Sequence, residues 1–178
     1  FGTTSHTGSL AVYIILNDQV VVSATVDPTI TFALSTNAIS LGILAVASVS
    51  SQTMTAQTVT NATGGYSTTV IENNNLRIGA TANDINDVSV AGTIDAGTEE
   101  YGMSTNDTTD GPFDIIYDAD CAAVFNADPI TSTVQTVSGD PTGPTNETAT
   151  LCLAASITAQ TVAGAYEHTL TFVTTGTF

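Results

Sequence analysis

The side chains best suited to proton transfer are two histidines, and neither stands in a pattern typical of an active site. His6 lies in a start rich in Gly, Thr and Ser, whereas His168 alternates with Leu170 and Phe172. A Ser–His–Asp site needs a histidine base, and no Gly-x-Ser-x-Gly nucleophile elbow accompanies either one. We therefore expect His168 to be a structural histidine of a core or edge strand, and we predict no catalytic residue.

The charge balance excludes several classes of function. The 178 residues include 17 Asp and Glu but a single cation, Arg77, which gives a net charge of −16. Without Lys or further Arg, no side-chain charge can clamp an anionic substrate or a developing oxyanion. The same lack of cations prevents neutralisation of a phosphate backbone or of an anionic membrane surface. We expect neither an enzyme nor a nucleic-acid-binding protein.

An acidic stretch offers the one candidate for a metal site. Ten of the 17 acidic residues fall between positions 84 and 120, and Asp114, Asp118 and Asp120 lie close together. Carboxylates in loops are ligands that Ca²⁺ accepts, but the spacing of an EF-hand is absent. A solvated acidic loop explains the same residues. Because the His and Cys clusters typical of transition-metal sites are missing, we expect no cofactor other than this candidate Ca²⁺.

Two cysteines and three glycosylation motifs indicate an extracytoplasmic protein. Cys121 and Cys152 are consistent with one disulfide formed in an oxidising compartment, and two buried thiols are the alternative. Asn-x-Thr motifs place candidate glycans on Asn61, Asn106 and Asn146, all in predicted turns. At Asn61, which shortly precedes two glycines, ordinary turn chemistry explains the residue equally well.

The pattern of apolar residues predicts an all-β fold. Thr occupies 34 positions, and β-branched side chains favour strands. Alternation of period two predicts strands at 10–16, 20–26, 29–34, 53–60, 66–72, 88–94, 113–117, 134–137, 148–157 and 166–174. Strands at this spacing, with Gly, Pro and Asn turns, are typical of an immunoglobulin-like or jelly-roll-like β-sandwich.

Local signals add detail to this single domain. The two glycines between 53–60 and 66–72 predict a hairpin with a five-residue loop. The mixed apolar run at 41–49 is compatible with a short helical turn. No charged residue lies between Asp27 and Glu72, so we expect that stretch to form the buried centre of the sandwich.

The most hydrophobic segment lies close to the start of the chain. Its inward-facing set under alternation is Leu10, Val12, Ile14 and Leu16, and its seven apolar residues fall short of the roughly 20 that span a bilayer. No charge or Pro protects this strand against pairing with another chain. Two interpretations follow: donation to a neighbouring subunit, or an internal hairpin with residues 20–26. We divide the chain into an N-terminal arm (1–19, the candidate donor strand) and a β-sandwich domain (20–178).

Several stretches resemble a broad group of secreted β-sandwich surface proteins of archaea and bacteria. The stretches are VDPTITFALSTN at 26–37, LG at 41–42, TNATGGY at 60–66, AGAY at 163–166, LTF at 170–172 and TF at 177–178. The acidic middle of the chain is unmatched. The resemblance implies an extracellular β-sandwich, and some members of such groups are pilus-like filament subunits in which an N-terminal strand completes the sheet of the next subunit.

These observations combine into one functional expectation and one alternative. We expect a structural subunit of an extracellular filament or pilus on the cell surface, whose partners are other copies of itself and attached glycans. The start Phe1-Gly2-Thr3 is typical of a chain processed by signal-peptide removal, although a truncated chain would look the same. The alternative is a monomeric adhesin or carbohydrate-binding module, for which the absence of Trp leaves few rings to stack on sugars.

Overall fold

The computed structural model describes residues 1–13, 19–107, 115, 118 and 125–178. In these ranges the chain forms nine strands and no helix, which confirms the all-β class. The strands are β1 (Ile30–Leu34), β2 (Ser50–Thr60), β3 (Tyr66–Glu72), β4 (Gly92–Thr93), β5 (Glu100–Thr105), β6 (Asn126–Ala127), β7 (Gln135–Asp140), β8 (Thr145–Ser156) and β9 (Leu170–Gly176).

The strands form antiparallel sheets. The first sheet has four strands in the order β1-β2-β8-β5, and the second sheet has three in the order β7-β3-β9. A short pair, β4 and β6, stands apart from both. The longest ladder joins β2 to β8 over the whole of β2, from Ser50 opposite Ala155 to Thr60 opposite Thr145. This ladder is the central support of the first sheet.

One hydrophobic core is shared by the two larger sheets. Met54 and Leu151 enter it from the first sheet, and Val70 and Val137 enter it from the second. In β3 every second side chain is buried, as expected for a strand in the middle of its sheet. Burial of each large apolar side chain contributes about 1.5–3 kcal/mol, so this shared core holds the sheets together.

The loop at 61–65 does not close the predicted hairpin. β2 pairs with β1 and β8, whereas β3 pairs with β7 and β9, so the loop carries the chain from one sheet to the other. Its backbone is satisfied by the end of the chain, because Gly64 N–H donates to the Thr177 carbonyl (2.8 Å) and Thr177 N–H donates to the Gly65 carbonyl (3.0 Å). The two glycines fit a turn. The strands before and after this turn, however, find their partners through contacts that are distant in sequence.

Other predicted elements also differ from the structure. Residues 20–26 form no strand and are exposed, because a β-branched sequence without a neighbouring ladder has nothing to pair with. Residues 41–49 form an irregular loop and not a helical turn. The acidic stretch contains β5, which lies at the edge of the first sheet and is absent from the predicted strands. The strand predicted at 113–117 falls mostly outside the described residues.

Replacement of Gly65 by Ala should test how the crossover loop is held. Gly65 has φ +72°, and a Cβ there would lie 1.7 Å from the Asp140 carbonyl oxygen. Gly42 is a matched control, with φ +74° and no atom within 4 Å of an added Cβ. In urea unfolding, Gly42→Ala should lose about 1–2 kcal/mol through backbone strain alone. Gly65→Ala should lose at least ~2 kcal/mol more; equal losses would contradict this assignment.

Candidate functional site

The two sheets leave one side of the shared core uncovered. β1 is an edge strand of the first sheet and β9 is an edge strand of the second, and the two run beside each other. The inward-facing side chains of both strands are only half-buried, in contrast to those of β3. Phe32 and Phe172 illustrate this, because each packs on the core and still retains exposed surface. An apolar gap therefore opens between β1 and β9 on the side of Leu34 and Leu170.

Toward one end this gap opens into a cavity of about 880 Å³. Loops 35–44 and 157–169 form its rim. Its apolar lining includes Leu34, Ile39, Leu41, Leu44, Leu170 and Phe172. We call the gap and its cavity the edge groove. Part of the stretch without charges thus lines an open groove, and the expectation that it forms the buried centre of the fold is wrong for residues 35–44.

A hydrogen-bonded network of three side chains lies beside the cavity. The Tyr101 hydroxyl donates to Nε2 of His168 (2.8 Å). On the other side of the imidazole, Nδ1 lies 3.2 Å from Oε2 of Glu72 and 3.1 Å from the Asn74 carbonyl oxygen. This arrangement fits a neutral imidazole with its proton on Nδ1, because Nε2 then accepts from Tyr101. His168 thereby joins β5 to the end of β3.

Burial controls the protonation of this network. Burial and the nearby Asp87 carboxylate raise the pKa of Glu72 to about 7. Burial, assisted by Asp84, raises the pKa of Asp87 to about 6, and Oδ1 of Asp87 is buried without a hydrogen-bond partner among the described residues. Burial lowers the pKa of His168, and the Asn74 carbonyl partly opposes that shift. At neutral pH the imidazole is uncharged.

The pKa of Tyr101 limits the chemistry of this network. Tyr101 is almost completely buried, and burial together with Glu72 and Asp87 holds its pKa well above the usual 10.0. A phenol held in its protonated form is a poor nucleophile and a poor base. The Tyr101–His168–Glu72 contact supports one wall of the edge groove, which Tyr101 and His168 line.

Sequence reasoning named His168 but missed its two partners. Glu72 is the charged residue that ends the long uncharged stretch, and this position was the signal in the sequence that could have identified it. Tyr101 lies in the acidic region, at a position where alternation predicted no strand. The three residues meet only because β3, β5 and the segment before β9 converge on the core.

The N-terminal arm is the second notable feature. Residues 1–13 and 19–29 are exposed and form no strand, with Leu10 exposed by 89% and Val12 by 74%. Ile14 and Leu16, the other two predicted donor positions, lie outside the described residues. The internal hairpin between this segment and residues 20–26 is not formed in the described part of the arm. The described part of its apolar face is uncovered within one chain.

Asn61 fixes the point at which the arm leaves the fold. Its Oδ1 accepts a hydrogen bond from Thr29 N–H (2.7 Å), and its Nδ2 donates to the Asp27 carbonyl (2.8 Å). The Asn61 N–H also donates to the Thr29 carbonyl (3.2 Å). The arm is therefore held at the start of β1 by the Asn61 side chain, whose amide oxygen and amide nitrogen both form hydrogen bonds.

The other two candidate glycosylation residues differ in their surroundings. Asn106 is half-buried, and its Oδ1 accepts a hydrogen bond from Thr150 N–H (2.6 Å). Asn146 is exposed, but it is the second residue of β8 and not part of a turn. Its Oδ1 accepts from Nε2 of Gln57 (3.1 Å). Glycosylation at all three positions stays a prediction.

The candidate metal and disulfide residues fall largely outside the described ranges. Asp114, Asp120 and Cys121 lie there, whereas Oδ2 of Asp118 accepts a hydrogen bond from Asn126 N–H (3.2 Å). In the described part of the chain, no group of three or more His, Cys, Asp or Glu residues could hold a metal. Cys152 is buried in β8, and the described ranges contain no free cysteine. The pairing of Cys152 with Cys121 stays a prediction.

Comparison with known proteins does not assign this arrangement to a family. No family model, curated protein or solved structure matches the chain. Among the described residues, no helix is long and apolar enough to cross a membrane. The function must therefore be inferred from the edge groove and the arm.

The raised pKa of Glu72 predicts how stability varies with pH. A carboxyl whose pKa rises on folding, here from 4.5 to about 7, contributes stability below pH 4.5 that is lost as pH rises through 7. Asp87 acts in the same direction, and His168 opposes both as pH falls below its ordinary 6.5. With two carboxyls against one imidazole, we expect the free energy of unfolding to be higher at pH 5 than at pH 8.

The variant Glu72→Gln isolates the contribution of this carboxyl. At pH 8 it should be more stable than the natural chain by about 1–2 kcal/mol, and the difference should shrink toward pH 4.5. The exposed Glu167 provides a control, since Glu167→Gln removes the same charge from the surface. Urea unfolding across this pH range measures both variants. An equal effect of the two, or a loss of stability in Glu72→Gln at pH 8, would contradict the assignment.

Proposed function

We propose that the chain is a structural subunit of an extracellular filament that polymerises by strand donation. Residues 9–16 of one subunit insert into the edge groove of the next. The observation that carries the proposal is that one chain holds both an apolar groove at the edges of two sheets and an exposed apolar segment that forms no strand over its described residues, 9–13. Strand addition to an exposed sheet edge satisfies the backbone groups of both.

The proposal includes a specific view of the fold. The two larger sheets form a β-sandwich that lacks one strand on the side of β1 and β9. This view is supported by the half-buried inward faces of those two strands and by their packing against the shared core. An added strand would cover these faces and would also remove two exposed edges that otherwise invite aggregation.

The energetics favour insertion only because the groove exists beforehand. Ordering the backbone costs roughly 1–2 kcal/mol per residue. Each ladder hydrogen bond returns about 0.5–1.5 kcal/mol, and each large apolar side chain that leaves water returns about 1.5–3 kcal/mol. These amounts are comparable. A preformed acceptor, which requires no further ordering of its own, therefore decides the balance in favour of insertion.

Charge distribution supports the same interaction. The chain carries a net charge of −16, so two subunits repel each other over most of their surfaces. Residues 1–17 contain no Asp or Glu, and neither does the stretch from 28 to 71 that supplies β1 and one rim of the groove. The donor strand and much of its acceptor are thus neutral, and the inserted residues 9–16 bring no carboxylate into the groove.

Deletion of residues 1–16 should abolish assembly. The truncated chain should form no filaments in electron micrographs and should unfold at lower urea concentration, because its groove stays open. A synthetic peptide of residues 9–16, added at 100 times its Kd, should restore about 2.7 kcal/mol of stability without restoring filaments. Unchanged assembly of the truncated chain would refute the proposal.

Two controls make this result specific. Deletion of residues 1–8 alone keeps the donor strand and should leave filaments intact. A peptide with the residues of 9–16 in scrambled order should not stabilise the truncated chain. Stabilisation by both peptides would indicate nonspecific adsorption to apolar surface and would also contradict strand donation.

A further inference from the structure

We propose that the donated strand runs antiparallel to β9 of the acceptor and extends the second sheet, and that this direction makes the assembly an open filament. The inference rests on the proposed function and adds the orientation of the partner. The alternative direction, parallel to β9, corresponds to a closed pair of subunits. The two strand directions are distinguished by the position at which the arm leaves one subunit and the position at which the groove opens on the next.

The arm leaves at one end of the fold, which we call the exit end. Asn61 holds residues 27 and 29 there, immediately before β1 begins at Ile30. The last residue of β9 lies at the same end, because a Cβ on Gly176 would be 3.3 Å from Cδ1 of Ile30. The exit end thus contains the start of β1 and the end of β9.

The cavity opens at the opposite end, which we call the cavity end. Its lining includes Leu34, the last residue of β1, and Leu170, the first residue of β9. β1 therefore runs from the exit end to the cavity end, and β9 runs in the reverse direction. The cavity of a subunit and the origin of its arm therefore lie at opposite ends of β1 and β9.

The connection between donor strand and fold is short. Ten residues, 17–26, separate Leu16 from Asp27, and fully extended they reach at most about 36 Å. This is close to the length of β2, whose 11 residues at about 3.3 Å each span roughly 36 Å. The exit end of the donor therefore lies within about 36 Å of the point at which its strand enters the acceptor.

Two docking arrangements satisfy this limit. If the exit end of the donor meets the cavity end of the acceptor, residue 16 lies nearest the entrance and residue 9 lies deepest. The strand then runs from the exit end to the cavity end, antiparallel to β9. Each subunit has a free groove at one end and a free arm at the other, so the contact repeats without closing.

In the second arrangement the exit ends of two subunits meet. The strand then runs parallel to β9, both arms are exchanged, and the pair closes as a two-fold dimer with no groove left for further growth. If the arm of a subunit filled the groove of that same subunit along the shortest path, its strand would also run parallel to β9. Of these two arrangements, only the first gives an open filament.

The strand edges favour the same choice. β9 has seven residues, close to the eight of the donor segment, whereas β1 has five. The ladders of the named strands in the described ranges are all antiparallel, and antiparallel pairing is slightly more stable per residue. The donor strand would become the fourth strand of the second sheet, next to β9.

Paired cysteines test the direction. Alternation with Leu10 and Val12 places Ala11 on the outward face of the inserted strand, and Thr171 and Thr175 are exposed on the outward face of β9. These two threonines are four residues, about 13 Å, apart along the strand. A disulfide needs Cα atoms within about 7 Å, so Ala11 can reach only one of them.

The double variant Ala11→Cys/Thr175→Cys should give a ladder of linked subunits on a non-reducing gel after mild oxidation of filaments. Ala11→Cys/Thr171→Cys should give at least tenfold less. Each single variant serves as a control, and both double variants should form filaments under reducing conditions.

The outcomes separate this inference from the proposed function. If the ladder, or a linked dimer, formed mainly in Ala11→Cys/Thr171→Cys, the proposed strand direction would be overturned. Strand donation itself would stand. Absence of cross-links in both double variants, in filaments that still depend on residues 1–16, would place the strand away from β9 and would also overturn the inference. Only unchanged assembly after deletion of residues 1–16 would overturn strand donation itself.

Discussion

The structure depends on one constraint: its two larger sheets do not cover one side of their shared core. Between β1 and β9 the inward side chains stay half-buried, and the gap widens into a cavity of about 880 Å³. A groove of this kind is a stability cost for an isolated chain and an attachment point for an added strand. The exposed apolar arm offers such a strand, and in our proposal it enters the groove of another subunit.

Polar groups support one wall of the groove. The Tyr101–His168–Glu72 network closes one wall, and burial keeps the tyrosine protonated and the imidazole neutral. The acidic residues are concentrated elsewhere, in the stretch from 84 to 120. Repulsion between the acidic surfaces then opposes unspecific association, whereas residues 9–16 and the stretch from 28 to 71 carry no carboxylate that would oppose pairing.

Local sequence patterns predicted several strands well and their partners poorly. The strand at 66–72 agrees with β3, and 29–34 agrees with β1 to within one residue, because alternation is a local property. The hairpin between 53–60 and 66–72 was wrong, since the choice of ladder depends on contacts with β7, β8 and β9. The groove could not be predicted at all, because it lies between the edges of two sheets whose positions depend on contacts distant in sequence.

Cryo-electron microscopy of assembled filaments tests the central claim most directly. At a resolution that traces the backbone, the account predicts a strand in every edge groove, bonded to β9 and continuous with residues 17–29 of an adjacent subunit. A groove that is empty, or one filled by a strand that traces back to the same subunit, would contradict it.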